Sequence, residues 1–298
     1  MNVSSLSFAL VLGSIGSLVF CLPVLSRIHS VQPLMLLREN IENQQAEIYV
    51  TETSDRAFEE EVELSGFGSA PVKAEGASVQ FDDATEAFTS RYSHETIALA
   101  FAITEEAVED NLYDSLSSRY TKALARSMSN AKEVKGAAVL NNGLPGVAAG
   151  TAFQTGDVLN LLTTSHPTIA GVVSNTLAVQ ADLNETSLEQ GLIDIAQMTD
   201  ERGLRIAAKG VKMIIPSANQ FNAERLMKSQ GRTSTADNDI NAIASMGMVP
   251  QGYRVNNFLT DTDAFYIITD VPNGMKYFER TPIRTAMEGD FDTGNVRY

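Results

Sequence analysis

Three side chains in one stretch could form a hydrolase triad, with Asp157 as the acid, Ser165 as the nucleophile and His166 as the base. In such a site the base must hold the nucleophile, and the acid must hold the base. The Gly-x-Ser-x-Gly turn that presents many serine nucleophiles is not found in the sequence. A loop histidine beside serines is more often a turn or interface residue. We therefore predict no catalytic residue and no enzyme activity.

A second candidate for chemistry is a run whose spacing matches the start of a calcium-binding loop. Asp237, Asp239 and Asn241 could supply its first three oxygen ligands. Ala242 replaces the glycine needed at the sharp turn, and Met248 replaces the final glutamate. The run fits the start of a helix better, because Asp and Asn side chains accept hydrogen bonds from the free N–H groups of a first turn.

Other metal and cofactor motifs are missing from the sequence. Cys21 is the single cysteine, which excludes an intrachain disulfide and a cysteine-based metal site. The three histidines are too scattered along the chain to suggest a metal cluster. The glycine-rich stretches 66–68 and 143–150 lack the fingerprints of a phosphate loop or a dinucleotide site. We predict no metal and no cofactor.

The charge of the chain is concentrated in one segment. The 298 residues carry a net charge of −15, and residues 51–110 contain 15 acids and 3 bases. Tight binding of DNA or RNA needs clustered Lys and Arg, so this composition argues against it. A local acidic field needs either solvent or a basic partner surface. With 44% hydrophobic residues the chain can build a large core.

The amino-terminal segment is apolar and uncharged. Residues 1–26 have no charged side chain, and residues 6–25 are long enough to span a bilayer. A basic flank and a clear cleavage site are missing. Three interpretations stay open: a membrane anchor, a buried apolar arm, and a start codon assigned too far upstream. We do not expect a membrane partner.

The periodicity of residues 51–141 predicts strands that lead into a long helix. Residues 56–103 are expected to form strands around a glycine-punctuated turn, with a half-buried strand over 97–103. A helix of roughly 50 Å is expected over 104–140, with Thr104 as its N-cap. Apolar residues recur every four positions on it: Val108, Leu112, Leu116, Tyr120, Leu124 and Met128. A long hairpin before a long helix, without catalytic residues, indicates a part that lies on a neighbouring molecule.

The remaining chain is predicted to mix strands and helices. Helices are expected over 188–199, 218–228 and 237–246, the last capped by Asp237 or Thr235. Strands are expected over 47–53, 211–216, 253–256, 264–269 and 276–287.

Several motifs in fixed order resemble the major capsid proteins of tailed bacteriophages. They include Arg56-Ala-Phe-Glu-Glu-Glu-Val, Thr199-Asp-Glu-Arg-Gly-Leu, Thr235-Ala-Asp-Asn-Asp-Ile-Asn-Ala and Phe291-Asp-Thr-Gly-Asn-Val-Arg-Tyr. The resemblance covers roughly residues 51–298.

This resemblance implies an α+β fold of the tailed-phage capsid type. It implies an atypical N-terminal arm over 1–55 and an extended hairpin, the E-loop, over 56–100 that lies across the adjacent subunit. A peripheral P-domain is expected over 101–169, containing the spine helix 104–140. An axial A-domain with a central sheet flanked by helices is expected over 170–270. Closing strands of the P-domain are expected over 271–298, where the family pattern leads us to expect a truncated end.

The resemblance also implies a function. We expect a structural head subunit that self-assembles into pentamers and hexamers of an icosahedral shell around double-stranded DNA, without gripping the DNA tightly. The expected place is the virion, after assembly in the host cytoplasm, with portal or scaffold proteins as further candidate partners. The alternatives are an encapsulin-like protein compartment and a surface protein anchored by residues 6–25.

The assembly interface is expected to join an acidic hairpin to a basic helix of the neighbouring copy. Single exposed ion pairs contribute little, so many must act together. The candidate interface residues are Phe58, Glu59, Glu60, Glu61, Phe67, Lys73, Glu75, Arg119, Lys122 and Arg126.

Overall fold

The computed structural model describes residues 43–104, 106–107, 116–147, 153–232, 239–286, 288–289 and 296–297. The apolar segment 6–25 and the predicted caps Thr235 and Asp237 lie outside these ranges.

The described residues form a mixture of strands and helices, as expected. The strands are β1 (Val50–Thr53), β2 (Phe58–Leu64), β3 (Glu86–Ser93), β4 (Ala102–Ile103), β5 (His166–Thr168), β6 (Gly171–Val173), β7 (Gly210–Ile215), β8 (Tyr253–Val255), β9 (Tyr266–Thr269), β10 (Lys276–Glu279), β11 (Glu288–Gly289) and β12 (Val296–Arg297). The helices are α1 (Leu116–Asn142), α2 (Glu185–Gln197), α3 (Gln220–Lys228) and α4 (Ala242–Met246).

The chain divides into two compact units. The described part of the first comprises residues from 97–131 and 281–297. There β12 pairs antiparallel with both β11 and β4, with Val296 opposite Ile103. The rings of Phe101 and Tyr120 meet edge to face with their centroids 5.7 Å apart. The second unit comprises residues 43–96 and 132–280.

The core of the second unit is built around strand β7. This strand lies between β8, which runs parallel to it, and β9, which runs antiparallel. Successive side chains of a strand point to opposite faces. Met213 and Ile215 accordingly join one buried cluster, and Ile214 joins another. A strand buried on both faces is a near-continuous apolar run, which is why the sequence identified it.

Helix α2 packs against the first of these clusters. Asn184 caps it by accepting a hydrogen bond from the Ser187 N–H at 2.9 Å, while the Ser187 hydroxyl accepts one from the Asn184 N–H at 3.0 Å. This reciprocal capping starts the helix at Glu185, three residues before the predicted start. Its buried face consists of Leu188, Leu192 and Ile195, spaced as on one side of a helix.

The C-terminal half of helix α1 is bonded to the segment before β1. The carboxylate of Glu133 is almost fully buried and accepts a hydrogen bond from the Gln45 N–H at 2.9 Å. Burial raises the pKa of Glu133, although this hydrogen bond opposes the rise. The Tyr49 hydroxyl donates to the Gly136 carbonyl at 2.7 Å. A side chain at Gly136 would meet Gln45 within 2.8 Å, so glycine permits this close approach.

The end of helix α1 is bonded to the loop after β8. The Asn141 side chain donates to the Phe258 carbonyl at 3.0 Å and accepts from the Thr260 N–H at 3.0 Å. The Asn141 side-chain amide therefore supplies one donor and one acceptor to the backbone of this loop, which has no strand partner among the described residues.

The long helix predicted over 104–140 is confirmed as a helix where it is described. Residues 106–107 and Leu116–Asn142 are helical, and residues 105 and 108–115 lie outside the description. The Ala107 N–H donates to the Thr104 hydroxyl at 3.4 Å, as an N-cap requires. The predicted apolar stripe is displaced by one position, because Tyr120 is 44% exposed while Thr121 and Ala125 are buried.

Two predicted strands are much shorter than their sequence patterns suggest. Residues 97–101 lie outside any strand, and only β4 remains of the strand predicted over 97–103. Among the described residues, β12 pairs only with Ala102 and Ile103 of this run, and no described strand pairs with residues 97–101. The strand predicted over 276–287 ends at Glu279, before Pro282, whose ring removes a backbone donor.

Helix α4 begins later than predicted. Residues 239–241 are not helical, and the cap is Asn241, whose side chain accepts the Ala244 N–H at 3.2 Å. The expected start at residue 237 was wrong because several Asx residues in a row can each cap, and packing of Ile243 in the core decides among them.

Replacing Leu188 by Ala should lower the free energy of unfolding by about 2–5 kcal/mol, because this side chain is fully buried and leaves a cavity. Ile193→Ala is the matched control, since Ile193 lies on the same helix and is 49% exposed. We expect it to cost less than about 1 kcal/mol. Urea denaturation measures both, and equal costs would contradict the assigned buried face.

Candidate assembly interface

Strands β2 and β3 form the predicted antiparallel hairpin. Phe58 lies opposite Ser93 at its base, and Leu64 lies opposite Glu86 at its far end. The register shifts between Val62 and Leu64, so the hairpin contains an irregularity near its far end. Bulges of this kind bend a strand and increase its twist.

Glu59 is held at the base of the hairpin by Ser54. The buried Ser54 hydroxyl donates to the Glu59 carboxylate at 2.7 Å and contacts His94 Nε2 at 3.0 Å. The Arg56 guanidinium lies 3.6 Å from the same carboxylate. Glu59 therefore has partners within its own chain.

Glu60 is paired across the strands with Arg91. Arg91 Nε donates to the Glu60 carboxylate at 2.6 Å, and the guanidinium carbon lies 4.5 Å from the centre of the Phe58 ring. Such a cation–π contact adds to the ion pair and covers one face of the ring.

Glu61 faces strand β10. Its carboxylate is bonded by the Lys276 ammonium and accepts a hydrogen bond from the Tyr92 hydroxyl at 3.3 Å. Lys276 also lies 3.5 Å from Glu52, and the hydrogen bond to Glu61 raises the pKa of this lysine. The Tyr92 ring packs on Phe278 at 5.0 Å between centroids. Three of the acids predicted to face a partner are thus engaged within the subunit.

Residues 66–84, which we call the tip loop, extend beyond the paired strands. Large apolar side chains are exposed along it, with fractions of 61% for Phe67, 100% for Val72, 66% for Val79 and 92% for Phe81. Exposed apolar patches of this kind mark interaction surfaces. The predicted interface residues Lys73 and Glu75 lie in the same loop and are exposed.

Arg119, Lys122 and Arg126 lie on one face of helix α1, because their spacings are three and four residues. All three are exposed. None of them has an ion-pair partner within the ranges the structure describes. The three basic side chains therefore share one exposed face of helix α1.

Asp157 and His166 do come together, but not as a catalytic pair. His166 Nδ1 lies 2.6 Å from the Asp157 carboxylate, and Nε2 faces the Leu161 carbonyl at 3.3 Å. The Ser165 hydroxyl contacts Thr163 instead of the imidazole. Although burial raises the pKa of Asp157, hydrogen bonds from Thr155 and His166 bring it below its usual value. With both ring nitrogens occupied, this cluster ties a loop together and prepares no nucleophile.

Two further functional classes find no support in the described ranges. No three His, Cys, Asp or Glu side chains there are grouped closely enough to hold a metal ion. Within the same ranges, no helix has both the length and the apolar character needed to span a bilayer.

Lys276 is a residue that the sequence analysis missed. It lies 215 positions from Glu61, and its partners belong to two other strands. An exposed-strand pattern over 276–287 carried no signal for this contact. The parallel pairing of β10 with β1 and the packing of Phe278 on Tyr92 place the lysine beside the hairpin.

Glu201 lies beside an acid of the hairpin. Burial raises the pKa of Glu201 first, and the charge and hydrogen bonding of Glu63 raise it further. Two carboxyl groups in contact cannot both ionise freely. The Glu63 charge therefore favours the protonated form of Glu201.

The chain resembles phage capsid proteins in sequence and in fold. A family model described as "Phage capsid protein" matches residues 86–298. The capsid protein of bacteriophage JBD30 superposes with a TM-score of 0.55 at 11% identity, covering 76% of this chain and 93% of that one. In a second JBD30 structure, a capsid decorated with minor capsid protein trimers, the values are 0.54, 12%, 74% and 92%. None of the curated proteins compared with the chain matches it.

Replacing Glu63 by Gln should raise the melting temperature at pH 8 by about 1–3 °C. The raised pKa of Glu201 means that the folded state binds more protons than the unfolded state in the pH range between the usual glutamate pKa and the folded-state pKa. Stability therefore falls as pH rises through the folded-state pKa, and removing the Glu63 charge reduces that fall. Thermal melts at pH 5 and pH 8 measure the effect.

The control for this prediction is Glu86→Gln, which neutralises an exposed acid on strand β3. It should shift the two melting temperatures equally. The same pH dependence in wild type and Glu63→Gln would contradict the proposed repulsion.

Proposed function

The chain belongs to the phage capsid protein family, and from this membership we propose that it assembles into pentamers and hexamers of an icosahedral shell that encloses double-stranded DNA. It is a capsid shell subunit, and its place is the virion. We further propose that it assembles in the host cytoplasm. The observation that carries the proposal is the hairpin with its exposed apolar tip loop, which the isolated subunit leaves in solvent.

The proposed domain division follows the family resemblance. Residues 56–100 would be the E-loop, residues 101–169 and 271–298 the P-domain, and residues 170–270 the A-domain. The β2–β3 hairpin, the long helix α1 and the sheet β8-β7-β9 with its packed helices support this division. The division assigns all of helix α1 to the P-domain, whereas residues 116–131 of this helix belong to the first compact unit and residues 132–142 to the second.

The proposed interface places the hairpin of one subunit over helix α1 of a neighbour. Strands β2 and β3 together carry five acids and one base, and the face of Arg119, Lys122 and Arg126 is basic. The acids need not be unpaired to attract that face, because the field of a surface depends on its summed charge. The intrachain pairing of Glu59, Glu60 and Glu61 orients these carboxylates, while Phe67 supplies apolar contact.

The remaining partners follow from charge. With a net charge of −15 the subunit should repel packaged DNA overall, so the shell would contain the genome without gripping it. Portal or scaffold proteins are the further partners that a closed, filled head requires.

Purified chain should form closed shells, or rings of five and six subunits, when it is concentrated. Negative-stain electron microscopy with light scattering on the same sample would detect them. A monomer at every concentration and ionic strength would overturn the proposal of self-assembly. Shells that enclose protein cargo and no DNA in infected cells would overturn the proposed content while preserving the shell.

Reversing two charges on helix α1, as Lys122→Glu with Arg126→Glu, should reduce particle yield about tenfold or more, because like charges then face each other across the interface. The free energy of unfolding should change by less than about 1 kcal/mol, since both side chains are exposed. Sedimentation measures the particle yield, and urea denaturation measures the stability.

The charge-matched control is Arg225→Glu with Lys228→Glu, which makes the same change of charge on helix α3. If it lowers the yield as much as the α1 variant, the total charge of the subunit controls assembly. That result would contradict a specific role for helix α1.

A further inference from the structure

Hydrogen bonds between Ser65 and Thr85 hold the two limbs of the hairpin together where the tip loop begins. The Ser65 N–H donates to the Thr85 carbonyl at 2.9 Å, and the Thr85 N–H donates to the Ser65 hydroxyl at 3.0 Å. Ser65 is almost completely buried here. We call Ser65, Gly66, Asp82, Asp83 and Thr85 the neck.

Arg202 bonds both limbs of this neck. Its Nη2 donates to the Asp83 carbonyl at 2.6 Å, and its Nε donates to the Gly66 carbonyl at 3.2 Å. These acceptors lie 119 and 136 residues away along the chain. One guanidinium thus joins the start and the end of the tip loop to a third segment.

The turn that carries Arg202 is itself held rigidly. The Asp200 carboxylate accepts the N–H groups of Arg202 at 3.0 Å and Leu204 at 2.7 Å. Gly203 takes a φ of +82°, a left-handed conformation that favours glycine. The turn therefore fixes the backbone of Arg202 independently of the neck. Little backbone conformational entropy is lost when its side chain forms the two hydrogen bonds.

Asp82 completes the arrangement. Its carboxylate lies 3.9 Å from Arg202 Nη2 and accepts the Gly68 N–H at 2.8 Å. The hydrogen bond from Gly68 is the main reason that the pKa of Asp82 lies below its usual value, with smaller effects from the Asp83 N–H and Arg202. The first residues of the tip loop are thus ordered against its last ones.

We propose that Arg202 is a positioning residue for assembly, which closes the neck and directs the tip loop toward its docking site. This role rests on the proposed function of the hairpin. A loop that swings freely about its neck must be ordered at each docking event, and that entropy weakens the contact. The planar guanidinium suits the task because its fixed fork of donors reaches two carbonyls at once, whereas a lysine ammonium is a single point donor.

The test compares Arg202→Met and Arg202→Lys with the control Arg205→Met. Arg205 belongs to the same turn, is exposed, and its side chain bonds none of the described residues. Hydrogen exchange at the Ser65 and Thr85 amides should accelerate about tenfold or more in both Arg202 variants. Trypsin should also cleave faster after Lys73, the one Lys or Arg within the tip loop.

Particle yield should fall with both Arg202 variants and stay at the wild-type level with Arg205→Met. Arg202→Lys keeps the positive charge, so it tests the fork of donors even if Arg202→Met folds poorly. Unchanged hydrogen exchange at Ser65 and Thr85 in folded Arg202 variants would overturn the proposal that Arg202 closes the neck, whether or not particles form. Faster exchange with unchanged particle yield would overturn the positioning role. If wild-type subunits form no particles, the proposed function fails, and the exchange measurement still decides whether Arg202 holds the neck.

Discussion

The burial of strand β7 on both of its faces is the constraint on which the rest of the second unit depends. Met213 and Ile215 point into one apolar cluster, and Ile214 points into the other. The first cluster fixes helices α2, α3 and α4 through their apolar sides. The second includes Leu140, so the end of helix α1 is attached to the same sheet. Exposing either face of β7 would expose one of the two buried apolar clusters to water, which is unfavourable. The helices on both sides are therefore positioned by this one strand.

The polar contacts of helix α1 determine which neighbouring segments pack beside it. The side chains of Glu133 and Asn141 bond backbone groups of Gln45 and Phe258, and the Gly136 carbonyl accepts a hydrogen bond from the Tyr49 hydroxyl. Backbone groups buried without partners are costly, so these contacts determine which loops can lie beside the helix. The hairpin follows a similar logic, since Glu61 of β2 is held by Lys276 of β10. Ion pairs on this surface thus shape the subunit before any neighbour arrives.

Local patterns predicted those elements whose stability is decided by their own residues. The apolar run of β7, the amphipathic face of α2 and the helix ending at Lys228 were all found in this way. The strand expected over 97–103 was largely wrong, because alternation describes a face and cannot supply a partner strand. The cap of helix α4 was predicted at Thr235 or Asp237, but the structure has Asn241 there. Several side chains in this run can cap a helix, and the packing of Ile243 in the core decides which one does. Lys276 and Arg202 could not be predicted as contacts, because their partners are 119 or more positions away.

The distance in sequence between Glu61 and Lys276 has a consequence during translation. The hairpin leaves the ribosome early, but strand β10, which carries its lysine partner, is synthesised 215 residues later. Strand β1 must also wait for β10, its parallel neighbour. A nascent chain therefore displays the hairpin without its final support, and long-range pairing of this kind forms slowly. The hairpin therefore gains its contact with β10 only after Lys276 has been synthesised, 215 residues after Glu61.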